Sequence, residues 1–494
     1  MKKIGIKARE FFYKFGKKWK EWWSSKEITK KFLYTALLLA IYLIMTAIKS
    51  PFVSFLSVNN SIDNDTFLST LNMIGGGGLR QFSLVALGIS PFINASLIMS
   101  LLQTKAFPAI QKLSQSGPEG RRKINIITRV LTLFLAFPQA FMLTKALSSG
   151  DNPFIKINTY GLNIHLVTYF LLPIILIGGS LFSLFIAEQI TNKGIGNGTS
   201  LIIFIGIVFQ LPIQFKTAWG FYVSDSESSA IVVGMLKFLT YLFVYLTLLF
   251  VIVIIYLAER HIPIQQIGAG RSKSIKDMGK LPIKLNPAGV MPIIFASMFV
   301  SFPLLIARIL PSHNNAGIWI REHMDFSKPL GLSLLVLFTF FFSFIMGLQQ
   351  SRVDRIAEDF TKNSTFIPGI QPGVQTEDYL ISVVMRLSTF SAFYLVLLVS
   401  FQYLMVIILS IPSAMSFGGT SMMILASVAI ETLDQFKARI KSSQLAKQKR
   451  ISRLVSENIA DNKNDTYDDS HLYGVSPLES PNSEINKNED GLLW

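Results

Sequence analysis

Residues 67–102, FLSTLNMIGGGGLRQFSLVALGISPFINASLIMSLL, decide the class of fold. The stretch reads as a membrane segment, yet Gly75-Gly76-Gly77-Gly78, the charge of Arg80 and later Pro91 interrupt it. In hydrocarbon each unsatisfied backbone group costs several kcal/mol, so broken helix is tolerated at membrane depth only under a cover of protein or beside a water-filled cavity. The stretch therefore predicts a chain that encloses a polar path.

The rest of the chain fits that environment. Half of its 494 residues are hydrophobic, 40 are Phe and only 15% are charged. With a mean hydropathy of +0.45, this composition excludes an ordinary soluble globule and points to a polytopic helical membrane protein. The absence of cysteine removes disulfides, thiolate metal sites and a cysteine nucleophile together. A net charge of +16 could suggest a nucleic-acid partner, but the basic residues sit in short loops between apolar spans. Residues 1–31 carry eleven Lys and Arg interleaved with Phe11, Phe12, Trp19, Trp22 and Trp23. They read as an interfacial amphipathic segment or a plain positive-inside anchor, and either places this end in the cytosol.

At about 20 apolar residues per span, ten candidates emerge: 32–48, 79–102, 124–146, 163–187, 199–215, 230–257, 287–310, 329–348, 379–409 and 418–436. Loop charge tests the count independently. Loops 103–123 and 258–286 and the segment after 436 are rich in Lys and Arg, whereas 147–162, 216–229 and 410–417 hold few. The alternation puts the basic loops and both termini in the cytosol. The expected fold is all-α, with ten transmembrane helices in two five-helix halves, 32–216 and 217–440. The second span of each half carries Gly and Pro, namely Gly88 and Pro91 in one and Pro287, Gly289 and Pro292 in the other. Interrupted spans in corresponding positions point to a pseudo-symmetric pair of bundles with the path between them. Loops 258–286 and 349–378 are longer than hairpin connections need, and long connections are usually functional or disordered. The tail 441–494 turns acidic, and its composition predicts a solvated, disordered segment from about 455.

No motif for metal or nucleophilic catalysis stands in usable context, so no cofactor, metal site or catalytic residue is expected. Carboxylates expected of ion-coupled carriers are missing from the middle of the spans: Glu188, Glu431 and Asp434 fall at cytosolic span ends. An ion-coupled secondary transporter of a small solute is the alternative reading. The spans instead offer aliphatic residues where the broken helices should meet, among them Ile89 and Ile93, four apart and on one helix face. Ordinary core packing explains most such residues, but a ring of them around a constriction would gate by dewetting.

The stretch EQITNKGIGNGTSLIIFIGI, 188–207, closely resembles the signature of the bacterial SecY family of protein-conducting channels. The likeness continues through 75–102, SGPEGRRKINIITR (116–129), AERHIPIQ (258–265), LPIKLNPAGVMPIIFAS (281–297), FIPGIQPGVQT (366–376) and FGGTSMMILASVAIETLDQ (417–435), in family order. The resemblance implies an hourglass whose halves open sideways between spans 2–3 and 7–8, in the bacterial cytoplasmic membrane. It assigns Ile89, Ile93, Thr199, Ile203, Met291 and Ile424 to the pore ring, 61–78 to a plug, and Gly75, Gly76, Gly77 and Gly78 to its hinge. It implies partners: the small subunits SecE and SecG, the SecA motor, the ribosome, passing signal sequences and nascent chains, and anionic lipid. Docking would fall to Arg260, Arg271, Lys273 and Lys276 in the first long loop and to Arg352, Arg355 and Gln371 in the second. Thr199 and Met291 stand where isoleucine is usual, and Gln371 where the loop tip usually carries arginine. If that arginine docks partners, Arg352, Arg355 and Lys362 must serve instead.

Overall fold

A computed structural model describes residues 26–55, 72, 75–103, 107–148, 155–224, 231–266, 279–310, 314–326, 328–409, 415 and 418–468. The N-terminal basic segment before 26 and most of 61–74 lie outside the described residues.

Ten apolar helical segments follow one another, as the hydropathy and loop charges predict. They are α1 (Lys26–Ala47), α2 (Ser90–Leu102), α4 (Gly117–Ser148), α5 (Ile164–Lys193), α6 (Gly198–Trp219), α7 (Ile231–Leu257), α8 (Met291–Ile309), α10 (Pro329–Ser351), α12 (Val374–Leu409) and α13 (Gly419–Asp468). Three shorter helices, α3 (Pro108–Gln115), α9 (Asn315–His323) and α11 (Val353–Lys362), lie between them. Seven of the described helices are long and apolar enough to cross a membrane by themselves. α2 and α8 are shorter apolar helices, and the apolar start of α13 makes the tenth.

Consecutive spans pack in each half: α2 on α4, α4 on α5 and α5 on α6, then α8 on α10 and α10 on α12. α8 also lies against α4 and α2, and one continuous apolar cluster runs through both halves. The chain forms two compact units, Met1–Phe436 and Lys437–Trp494.

The second span departs from the expected helix over 79–102. Regular helix begins only at Ser90, and residues 75–89 run as turns and one 3₁₀ turn, Gly78–Gln81. Pro91 stands in the first turn of α2, where its missing N–H costs nothing, and so starts the helix instead of breaking it. The irregular stretch is covered by protein: Leu79, Phe82, Val85, Ala86, Leu87 and Ile89 are buried. Its polar groups are met locally and by the first span. The Tyr42 hydroxyl lies 3.3 and 3.2 Å from the carbonyl oxygens of Gly75 and Gly76. Asn72 Oδ1 accepts from the backbone N–H of Leu79 and Arg80, and the Leu84 N–H donates to the Ile48 carbonyl.

The repeat between halves is visible in the backbone. Gly88 takes φ +54° and Gly289 φ +64°, each left-handed, each three residues before the proline that opens the following helix. Left-handed φ is nearly free for glycine alone, so the shared Gly-x-x-Pro spacing sets one entry angle for α2 and α8.

Short strands complete the fold. β1 (Val53–Phe55) pairs antiparallel with β2 (Ile155–Ile157), joining the loops after spans one and three. β3 (Glu259–Gln266) pairs with β4 (Gly279–Lys284) and with β5 (Thr365–Phe366) in the order β4-β3-β5. The loops expected to be long and charged are thereby folded into one sheet.

The tail also departs from expectation, because α13 continues to Asp468 instead of ending near 455. Residues 437–468 contain neither Gly nor Pro and are rich in Lys, Arg, Gln and Ala. Polar composition forbids a buried core but not an exposed single helix. Residues from 469 lie outside the described set.

One consequence is testable where α6 approaches the glycine run 75–78. A Cβ on Gly206 of α6 would stand 2.5 Å from the Gly76 carbonyl carbon. Gly206→Val should destabilise the folded protein by about 1–3 kcal/mol, the range for overpacking a filled site, read as a lowered thermal midpoint in detergent. An unchanged midpoint would show that the hinge does not depend on this close approach.

Candidate functional site

The signature 188–200 builds the junction between α5 and α6. Asn197 caps α6: its Oδ1 accepts from the Thr199 N–H at 3.2 Å and from the Thr199 hydroxyl at 2.8 Å. The Thr191 hydroxyl accepts the Gly198 N–H at 2.9 Å, and the Ile195 N–H donates to Thr35 of α1 at 2.9 Å. The tight turn thus ties three spans together and holds Thr199 and Ile203 in fixed register on the first two turns of α6.

Above this junction opens a cavity of about 1170 Å³. Its walls come from the ends of α2, α4, α5 and α10 and from α3 and α11, all ends that loop charge assigns to the cytosol. The wall is polar and carries both signs of charge. Arg129 of α4 meets Glu188 of α5 at 2.8 Å, and Gln103, Gln111, Asn125 and Gln349 add amides. Thr199 and Met291 also line it.

The six residues assigned to the pore ring divide. Ile89, Ile93, Ile203 and Ile424 are 8% exposed or less and belong to the single apolar cluster that runs through both halves. Met291 is 42% exposed and faces the cavity, with half-buried Thr199. The four isoleucines are thus buried in the apolar cluster, whereas the two non-isoleucine members line the cavity. The Thr199 hydroxyl donates to Asn197, so its polarity is already spent on the helix cap.

The glycine run 75–78, assigned to the hinge by resemblance, sits against this cluster. A Cβ on Gly76 would lie 3.0 Å from Ile202 Cγ2, one residue from Ile203. Of the stretch assigned to the plug, only Asn72 and 75–78 are described, and Asn72 is fully buried. The sequence singles out no role for Asn72, which is one of three polar residues, with Ser69 and Thr70, ahead of the glycine run.

The docking residues also divide. Arg260 on β3, Arg352 between α10 and α11, and Gln371 are exposed. Arg355 does not point outward: it is half-buried, and its Nη2 donates to the Ser114 carbonyl at 3.0 Å. Lys362 is paired with Glu358 at 2.7 Å. Arg271, Lys273 and Lys276 lie outside the described residues. Under β3 and β5, Ile262, Val353, Phe360, Ile367, Leu380 and Val384 form a second apolar cluster. The periodicity of 353, 357 and 360 places one apolar face of α11 on it.

Known proteins share this arrangement. The SecY family model matches residues 83–433. The protein translocase subunit SecY of Mycoplasma capricolum is 37% identical over 462 residues, 91% of this chain and 93% of the relative. That of Bacillus subtilis is 32% identical over 422 residues, 84% of this chain and 95% of the relative. A solved protein-conducting channel aligns with a TM-score of 0.61 at 17% identity, covering 84% of this chain and 92% of the other, which shows a shared fold. With the family model spanning well over half its length, the chain belongs to the SecY family.

Proposed function

We propose that the chain is the central, pore-forming subunit of a channel that passes unfolded secretory polypeptides across the bacterial cytoplasmic membrane and releases hydrophobic segments sideways into lipid. The observation that carries the reading is a polar cavity of about 1170 Å³, lined in part by Thr199 and Met291, in a chain whose two halves share one continuous apolar cluster that includes Ile89, Ile93, Ile203 and Ile424. Apolar side chains around an extended polypeptide exclude ions without offering it hydrogen bonds, so the chain can keep sliding. Conduction requires such weak binding. No Asp, Glu, Lys or Arg is buried among the described residues, which favours this reading over ion-coupled transport of a solute.

Sideways release follows from partition. A charged side chain at mid-helix costs about 2.5–3.5 kcal/mol on insertion scales, while Leu, Ile, Phe or Val gains about 0.3–0.6 kcal/mol. A channel open to lipid along the seam of α2, α4 and α8 sorts each passing segment by that difference. This subunit performs no covalent step, so directionality comes from partners: ATP hydrolysis by SecA or elongation on the ribosome. The exposed face of the β4-β3-β5 sheet, with Arg260, Arg352 and the Gln371 tip, is their docking platform, and rRNA phosphates suit its arginines. SecE and SecG complete the assembly, and anionic lipid takes part of the remaining basic charge. N- and C-termini are cytosolic in this reading.

Three outcomes follow. Reconstituted with its small companion subunits, the chain should pass a secretory precursor only when SecA and ATP are added, and a long precursor arrested in transit should crosslink to photoprobes at Ile89 and Ile203. A precursor that crosses without touching either probe would sink the reading. Deleting 63–71, which spares Asn72, should leave translocation intact and raise the ion conductance of resting vesicles, and unchanged conductance would make that segment an ordinary outer loop. Ile203→Asn buries an amide without a partner, which costs about 1–3 kcal/mol in the closed state. It should therefore let precursors with weakened signal sequences through, and unaltered stringency would remove Ile203 from the seal.

A further inference from the structure

Two side chains of the C-terminal half reach across the seam and cap helices of the N-terminal half. Gln349, in the last turn of α10, donates its Nε2–H to the Ser100 carbonyl in the last turn of α2. Arg355, in the first turn of α11, donates from Nη2 to the Ser114 carbonyl in the last turn of α3 at 3.0 Å. Carbonyls in the last turn of a helix have no donor within it. At Ser114 the deficit is chemical: the residue four positions on is Pro118, which has no N–H to give. Both acceptors lie at the negative end of a helix dipole, so a guanidinium is favoured there beyond its hydrogen bond.

We propose that Gln349 and Arg355 form a latch that sets how apolar a segment must be to part the two halves. This rests on the reading that the halves separate sideways. Both donors and both acceptors line the cytosolic cavity, so water replaces each partner once the halves move apart, and each bond biases the gate without locking it. A neutral hydrogen bond exchanged for water is worth about fivefold in an equilibrium, and one from a charged donor more. Together the two caps favour the closed gate by about 20-fold or more, roughly what three or four leucines contribute on entering lipid. The latch therefore lies within the range that signal sequences can overcome. Its two contacts sit at the cytosolic mouth, the first part of the seam that an arriving segment meets.

The absence of cysteine makes the test clean. Gln103→Cys and Gln350→Cys, from opposite halves and both on the cavity wall, accept spin labels in the complete complex in vesicles. Without any precursor, the combined Gln349→Met and Arg355→Met variant should shift the label separation toward longer distances, raising the open-to-closed ratio about 20-fold, with each single variant intermediate. Arg355→Lys, which keeps a charged donor, should return most of the closed population. The double variant should also export a precursor whose signal has lost leucines several-fold better than the parent does. Labels that stay at the parental separation in the double variant overturn the latch, whether or not precursors pass. Labels that separate in a protein that passes no precursor would uphold the latch and refute the channel reading.

Discussion

The structure depends on hiding fifteen residues of irregular backbone, 75–89, at the depth of the membrane. Hydrocarbon offers no hydrogen bonds, so every polar group in this stretch needs a protein partner. The Tyr42 hydroxyl, the Asn72 side chain and the backbone at 48–50 supply them, and α5 and α6 come close enough to cover the rest. That close approach needs bare backbone. A Cβ on Gly179 would lie 1.9 Å from the Leu84 carbonyl oxygen, as one on Gly206 would crowd Gly76. Spans one, four and five are therefore positioned by the broken second span as much as by one another.

The same break makes the site. Because α2 begins only at Ser90, its N-terminal end lies within the protein, with Ile89 and Ile93 in the central cluster. α8 begins in the same way after Gly289, and its first residue, Met291, meets the cavity. The cavity lies against the C-terminal part of α2 and the first residue of α8, so the two Gly-x-x-Pro entries set the position of both walls.

Beyond the spans, the chain converts two long loops into structure. β3 pairs with β5 across the two loops, and the Gln266 amide donates to the Asn363 carbonyl 97 residues away. Residues from both loops and from the base of α12 bury a shared apolar cluster beneath the sheet. A folded platform presents its charges in fixed positions, whereas free loops would lose conformational entropy on binding anything. The platform also carries α11, and through Arg355 it touches α3 of the other half. The platform and α3 of the N-terminal half therefore share a physical contact.

By itself the sequence determined the class and the number of spans, because hydropathy and loop charge act locally and need no knowledge of what packs where. The Gly and Pro punctuation of spans two and seven was legible for the same reason: it constrains φ at the residue itself. Ile89, Ile93, Ile203 and Ile424 were assigned to a ring through resemblance alone, since an isoleucine facing a seal and one facing lipid have the same local signal. Tertiary structure alone decided that the second span is helical only from Ser90, that Asn72 caps the 3₁₀ turn, and that Arg355 turns inward to a carbonyl on α3. Each of these is a hydrogen bond or contact whose partner is remote in sequence or set by packing. A charged or amide side chain carries no mark of whether water or a distant helix end will satisfy it.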